Sequence, residues 1–162
     1  MELNTLQDLF VDVLKDTYDA EHQITKALPK MVKAAHTPEL KSAFENHLKQ
    51  TENHIKRLET VFENLGKKPS RKTCKGMQGL LEEGTEMIKE DGEPEVLDAG
   101  LIAAAQKVEH YEISAYGTMI AYANLLGLDN VAKTLHQTLD EEKAADEKLT
   151  GIAEATVNIQ AA

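Results

Sequence analysis

The sequence predicts an all-α fold, a four-helix bundle with one long crossover between its second and third helices. Three observations predict it. Turn-forming residues are sparse, with Pro at 29, 38, 69 and 94 only and Gly at nine positions. The stretches between them repeat apolar residues with the period of a helix. Aromatic residues make up 4% of the chain and Trp is absent, whereas sheets lean on aromatic and β-branched side chains.

The first helix is expected from Leu3 to about Ala35, with Leu3, Leu6, Phe10, Leu14, Ile24 and Leu28 on one face. Pro29 is expected to kink it, because proline removes a backbone donor and crowds the preceding turn. Thr37-Pro38-Glu39 reads as a helix start: a hydroxyl N-cap, Pro at the first position and an acid near the positive end of the dipole. The second helix carries Leu40, Phe44, Leu48, Ile55, Leu58, Phe62 and Leu65. Gly66 closes it as a left-handed cap. Residues 67–93 differ in character, holding four of the nine glycines, the only Cys, and five basic residues between Lys67 and Lys75. They read as a surface crossover with a short helix over 79–89. Cations beside Cys74 are expected to favour its thiolate. Pro94 restarts a long helix to about Leu126, closed by Gly127. Asp129 reads as the cap of a fourth, from Asn130 to about Asn158.

Tight turns force antiparallel neighbours, so helices one and two, and three and four, form hairpins. A crossover of 27 residues can climb a helix of roughly 40 Å, which lets the third helix run parallel to the second. One long crossover is the arrangement of ferritin-like bundles; the alternative, a plain up-down-up-down bundle, would not need so long a middle connection. At roughly 100–200 residues per domain, residues 1–162 form a single domain.

Composition excludes several functions. Lys plus Arg is 18 against 28 for Asp plus Glu, a net charge of −10. Such a chain repels nucleic-acid phosphates and anionic membranes. One Cys permits no intrachain disulfide and no Cys-rich zinc site. No apolar run approaches the ~20 residues of a membrane span. The start, MELNTLQDLF, has no basic region of a signal peptide, so a cytoplasmic location is expected. Phosphate-binding loops, dinucleotide fingerprints and nucleophile elbows are absent from the sequence. Any chemistry must come from residues scattered along helices.

Such residues interrupt every apolar seam. Glu21 follows Leu14 and Thr17; His47 and His54 stand among Phe44, Thr51 and Leu58. Glu109 and Glu112 lie between Ala105 and Tyr116, and Glu142 and Asp146 between Leu139 and Leu149. Depth along the helices follows from 1.5 Å per residue. Glu21 is 16 residues before Thr37 and His54 is 17 after it, roughly 24–26 Å from the first turn. Glu109 and Glu112 before Leu128, and Glu142 and Asp146 after it, lie roughly 21–28 Å from the second turn. His47 is about two turns closer to its own turn and reads as a weaker member. Five carboxylates and an imidazole at one level cannot form an apolar core, since each buried charge costs several kcal/mol. Two divalent ions would neutralise them, and oxygen-plus-imidazole ligation suits iron or manganese. Glu112, level with Glu142, is the expected bridge. Arg57, Lys107 and Lys143 offer an alternative source of positive charge. Tyr116, one turn after Glu112, is placed to hydrogen-bond a ligand carboxylate.

These residues resemble a known family. Tyr18-Asp19-Ala20-Glu21, the stretch His47 to His54, Lys107 to Glu112, and Leu139 to Lys143 with Asp146 are similar to the YciE/YciF family of ferritin-like proteins. The likeness spans nearly the whole chain, including the Lys-rich crossover before Cys74. It implies a bacterial, cytoplasmic, stress-associated four-helix protein, often a homodimer, with ferroxidase-like di-iron chemistry and oxygen or peroxide as oxidant. The general ferritin-like pattern takes one Glu from each of two helices and Glu-x-x-His from the other two. Here the second helix reads Thr51-x-x-His54, the third Glu109-x-x-Glu112 and the fourth Glu142-x-x-x-Asp146. Two functions therefore stand. One is a dinuclear non-haem metal protein, iron first and manganese second, with ligands Glu21, His54, Glu109, Glu112, Glu142 and Asp146. The other is a metal-free structural or partner-binding stress protein with a degenerate site.

Overall fold

The computed structural model describes residues 3–162. Among the described residues all regular structure is helical: α1 (Leu6–Ala34), α2 (Pro38–Asn64), α3 (Lys75–Lys89), α4 (Pro94–Leu125) and α5 (Asp129–Ile152). A π-helical turn, Ala153–Val157, and a short α6 (Asn158–Ala161) continue from α5. No helix among the described residues is long and apolar enough to cross a membrane.

Local chemistry sets the ends. Helix α1 starts at Leu6 because Thr5 and Asp8 form a reciprocal capping box: the Asp8 amide donates to Thr5 Oγ1 at 3.1 Å and the Thr5 amide to Asp8 Oδ2 at 3.0 Å. This satisfies two donors that a helix start leaves open. The helix continues through Pro29 to Ala34. Thr37 precedes α2 as expected, but its hydroxyl does not cap that helix. It donates instead to Asp98 Oδ2 on α4, at 2.5 Å. The amides of His36 and Thr37 also donate to Asp98, at 2.8 and 2.7 Å. A buried carboxylate from a distant helix thus holds the α1–α2 turn. Gly66 and Gly127 close α2 and α4 with φ of +64° and +69°, the left-handed conformation that favours glycine. Asp129 is the first helical residue of α5 and does not cap it; its charge lies in the first turn.

The crossover helix is longer than expected, starting at Lys75, with Cys74 as its N-cap. The basic run before it is engaged by acids of α1. Arg71 Nε lies 2.8 Å from Asp19 Oδ1 and Lys72 Nζ 2.5 Å from Asp12 Oδ2. Cys74 is fully buried, with Sγ 3.0 Å from the Tyr111 hydroxyl, which donates to Asp16 at 2.8 Å. Burial pushes the thiol pKa up despite the nearby cations, so the thiolate expected from the sequence is not favoured.

Helices α1 and α2 pack together, as do α4 and α5; α2 also meets α5 and α1 meets α4, while α3 lies against α4 and α1. Gly100 permits the α3–α4 approach, since a Cβ there would meet Met87 Sδ at 1.9 Å. The apolar core is split in two. One cluster contains Ile24, Leu28, Phe44, Met77, Leu101 and Leu149; the other contains Phe10, Leu14, Leu58, Phe62, Met119 and Leu135. Each such side chain contributes about 1.5–3 kcal/mol on burial. On every long helix the seam's ionisable residues stand between the two clusters. Phe62 is fully buried and meets Tyr18 edge-on at 5.6 Å.

Candidate metal centre

Each of the four long helices delivers side chains to one buried level. Glu21 comes from α1, His47 and His54 from α2, Glu109 and Glu112 from α4, and Glu142 from α5; all are at most 5% exposed. Residues three, four or seven apart share one face of a helix, which is how each pair points the same way.

The cluster has two halves that share Glu142. In the first, His54 Nδ1 lies 2.9 Å from Glu142 Oε1 and 3.4 Å from Glu21 Oε1. In the second, His47 Nε2 lies 3.2 Å from Glu109 Oε1 and 3.7 Å from Glu142 Oε2, with Glu112 alongside. Within each half the potential ligand atoms lie within 4.8 Å of one another. These approaches are close without being aligned as hydrogen bonds. Nine side-chain atoms of the six residues are buried with no hydrogen-bond partner, including both oxygens of Glu112 and of Glu142. Native interiors hold few such atoms, and each ordinarily costs 1–3 kcal/mol or more.

Electrostatics record the same congestion. Burial, reinforced by the charge of Glu142, Glu21 and Glu109, pushes the Glu112 carboxyl well above the usual range. Burial, with Glu109 and Glu21, does the same to Glu142. Burial pulls the His54 imidazole down, but the carboxylates of Glu21 and Glu141 prevail and raise it.

A surrounding layer fixes orientations. The Tyr116 hydroxyl donates a short hydrogen bond to Glu21 Oε1. His54 Nε2 meets Glu141 Oε2 at 2.8 Å. Arg57 grips Glu141 through two nitrogens, at 2.7 and 2.8 Å. The arginine therefore makes no hydrogen bond to any of the six interior groups and meets His54 through Glu141. Lys107 pairs with exposed Glu83 at 2.6 Å, and Lys143 faces solvent. Thr51, at the position where the ferritin-like pattern places a Glu, donates its hydroxyl to the His47 carbonyl of its own helix at 2.8 Å.

Five of the residues expected from the sequence meet here: Glu21, His54, Glu109, Glu112 and Glu142. Asp146 does not. Its Oδ1 accepts from Gln106 at 3.1 Å and its Oδ2 lies 3.2 Å from His110 Nε2. Four residues beyond Glu142, it is rotated by about 40° and points to the flank of α4. Glu112 belongs to one half only, so the shared carboxylate is Glu142 rather than Glu112. His47 joins the cluster although its axial offset from His54 is about 10 Å, because the two rings converge to 6.2 Å. Their spacing of seven residues, two turns on one face, was the signal for it. Glu141 was not anticipated, although Arg57 and His54 are one turn apart and converge on it.

A helical protein with a paired acid–imidazole level between two apolar clusters is the class that fold and site define. Comparison with known proteins gives the family. The chain belongs to the family described as Domain of unknown function (DUF892), which it matches over residues 5–162. It is 47% identical to protein YciF of Escherichia coli (strain K12) over 162 residues, 99% of this chain and 98% of that one. The crystal structure of the E. coli stress protein YciF superposes with a TM-score of 0.92 at 47% identity, covering 96% of this chain and 98% of that chain. YcfI from Rhodopseudomonas palustris is similar at a TM-score of 0.90 and 46% identity, covering 92% and 95% of the two chains.

Proposed function

We propose that this chain is a ferritin-like four-helix protein, with the α2–α4 connection as its one long crossover, that holds a dinuclear non-haem metal centre. Iron is the first choice of metal and manganese the second. Glu21, His54 and Glu142 would hold one ion, and His47, Glu109, Glu112 and Glu142 the other. The observation that carries this reading is the set of nine buried side-chain atoms without hydrogen-bond partners, all belonging to these six residues. The donors fit the group: four carboxylates balance two divalent ions, and mixed oxygen and imidazole ligation suits iron and manganese.

When bound, the ions supply redox chemistry, Fe(II) passing to Fe(III) with oxygen or peroxide as oxidant. The protein's own groups do the rest. Glu142 turns one oxygen to each half. Tyr116 holds Glu21 and Glu141 holds His54, each fixing the lone pairs it leaves free. The apolar clusters above and below keep all six residues buried. Burial and the neighbouring carboxylates favour the protonated forms of Glu112 and Glu142, and a bound cation would favour their deprotonated forms.

The relative YciF is described as a stress protein, and we place this chain in the same setting. A homodimer belongs to the proposal on family resemblance, and sedimentation at micromolar concentration tests it. Elemental analysis of protein purified without chelator tests the centre: about two Fe or Mn per chain is expected. None, even after anaerobic reconstitution with Fe(II), would reject it.

A further inference from the structure

Beside the polar level lies a cavity of about 480 Å³, between α1, α2, α3, α4 and α5. It falls in the roughly 300–1,000 Å³ range of pockets that take small organic molecules. Its walls are mainly apolar, built on Ile24, Leu28, Phe44, Ile88 and Leu149, with Asn46, Gln50 and Thr85 as the uncharged polar residues of the lining. It is open because alanines and Gly84 line it where larger side chains would close the core. Its polar groups are sorted. Exposed Lys30, Lys49 and Lys148 are the only charged side chains of the lining apart from Glu109. None of the three lysines makes an ion pair among the described residues, in a chain whose net charge is −10. Toward the interior the lining reaches Glu109 and His47, which is 5% exposed and whose Nδ1 has no hydrogen-bond partner.

We propose that this cavity binds a single-chain amphipathic anion of the fatty-acid type, its alkyl chain among the apolar walls and its carboxylate at the lysine rim. Three cations on the outside and the Glu109 carboxylate within leave only one favourable direction of entry. A straight alkyl chain suits walls with no hydrogen-bonding side chain along Ile24, Leu28, Phe44 and Leu149. The occupant is independent of the metal reading, because walls and rim belong to the chain itself.

Binding of decanoate and of decyltrimethylammonium to the full chain, below their micellar concentrations, tests this by calorimetry. Decanoate is expected to bind saturably, about tenfold or more tighter than the cation of the same tail. The double variant Lys49→Glu with Lys148→Glu should abolish that preference. Ala105→Leu, which grows a side chain into the cavity, should weaken both probes about tenfold with helix content unchanged. Should that variant fail to fold, the lysine pair decides. Chelator-treated and Fe(II)-loaded protein should bind decanoate alike, so a chain found without metal leaves the inference standing. No saturable binding, equal affinity for the two probes, an unaltered preference in the lysine variant, or unaltered binding in folded Ala105→Leu would each overturn it. Binding that requires the metal would place the carboxylate on the ions and overturn the orientation.

Discussion

Replacing Glu112 by Gln should raise the protein's stability without metal and shrink the further gain in stability that metal gives. Glu112 is 1% exposed, both its oxygens lack partners, and its carboxyl faces Glu142, Glu21 and Glu109. Without metal the wild-type protein must either protonate this group or hold a charge against burial and three acids. Leaving such a group unsatisfied costs about 1–3 kcal/mol. Gln keeps the shape, removes the charge and brings a donor to the neighbouring carboxylates. A gain of about 1–3 kcal/mol corresponds to roughly 2–12 °C in Tm for a chain of this size. With saturating Fe(II) or Mn(II), the same change removes one ligand from the half built on His47, Glu109 and Glu142. A tenfold loss of affinity there subtracts about 1.4 kcal/mol from the metal's contribution, or roughly 3–6 °C. The assay is a set of thermal melts of wild type and Glu112→Gln, each with chelator and with metal. A variant less stable than wild type by the same amount in both conditions would refute the reasoning, since that is the signature of a lost structural contact.

Four further outcomes are expected. Chelator-treated protein should lose stability as pH rises above about 4.5, because Glu112 and Glu142 have raised folded-state pKa values and the native state then binds more protons than the unfolded one. Melts at about pH 5 and about pH 8 check this, and bound metal, which takes deprotonated ligands, should reverse the slope. Asp98→Ala should cost about 3 kcal/mol by chemical denaturation, since it strands two backbone amides and the Thr37 hydroxyl; a change under about 0.5 kcal/mol would contradict the cap. Cys74 should react with a thiol reagent at neutral pH roughly tenfold or more slowly in the native than in the denatured chain, because it is buried and its thiol pKa is raised. Gly127→Ala should lower stability by about 1–2 kcal/mol through backbone strain alone, as a Cβ there meets nothing within 4 Å.

The helices were legible because their signals are local. Pro38, Pro94, Gly66 and Gly127 each act on the residues beside them, and the long helices begin or end where those residues stand. The level of the site was also legible, because rise per residue converts sequence distance into depth in both hairpins at once. Azimuth was not. Asp146 has the right depth and the wrong rotation, and only the packing of α5 on α4 decides which of its faces looks inward. His47 has the wrong depth for a straight projection, yet its side chain leans far enough to join. Partnerships between distant helices were equally hidden: Asp98 with Thr37, Arg57 with Glu141, and Cys74 with Tyr111 depend on contacts that no local pattern encodes.

The carboxylate that holds the first turn has a consequence for the order of events during synthesis. Asp98 lies 61 residues beyond Thr37, so it leaves the ribosome well after both helices that meet at that turn. At about 5–20 residues per second the 34 residues from Asn64, the end of α2, to Asp98 take roughly 2–7 s. During that time the α1–α2 hairpin has open amides at its bend, half of a polar level and no opposite wall. Its apolar faces and its acids wait together for α4. The turn gains its carboxylate acceptor only when the first turns of α4 have been made and have docked, so the bend is finished by a helix that neither of its own two helices contains.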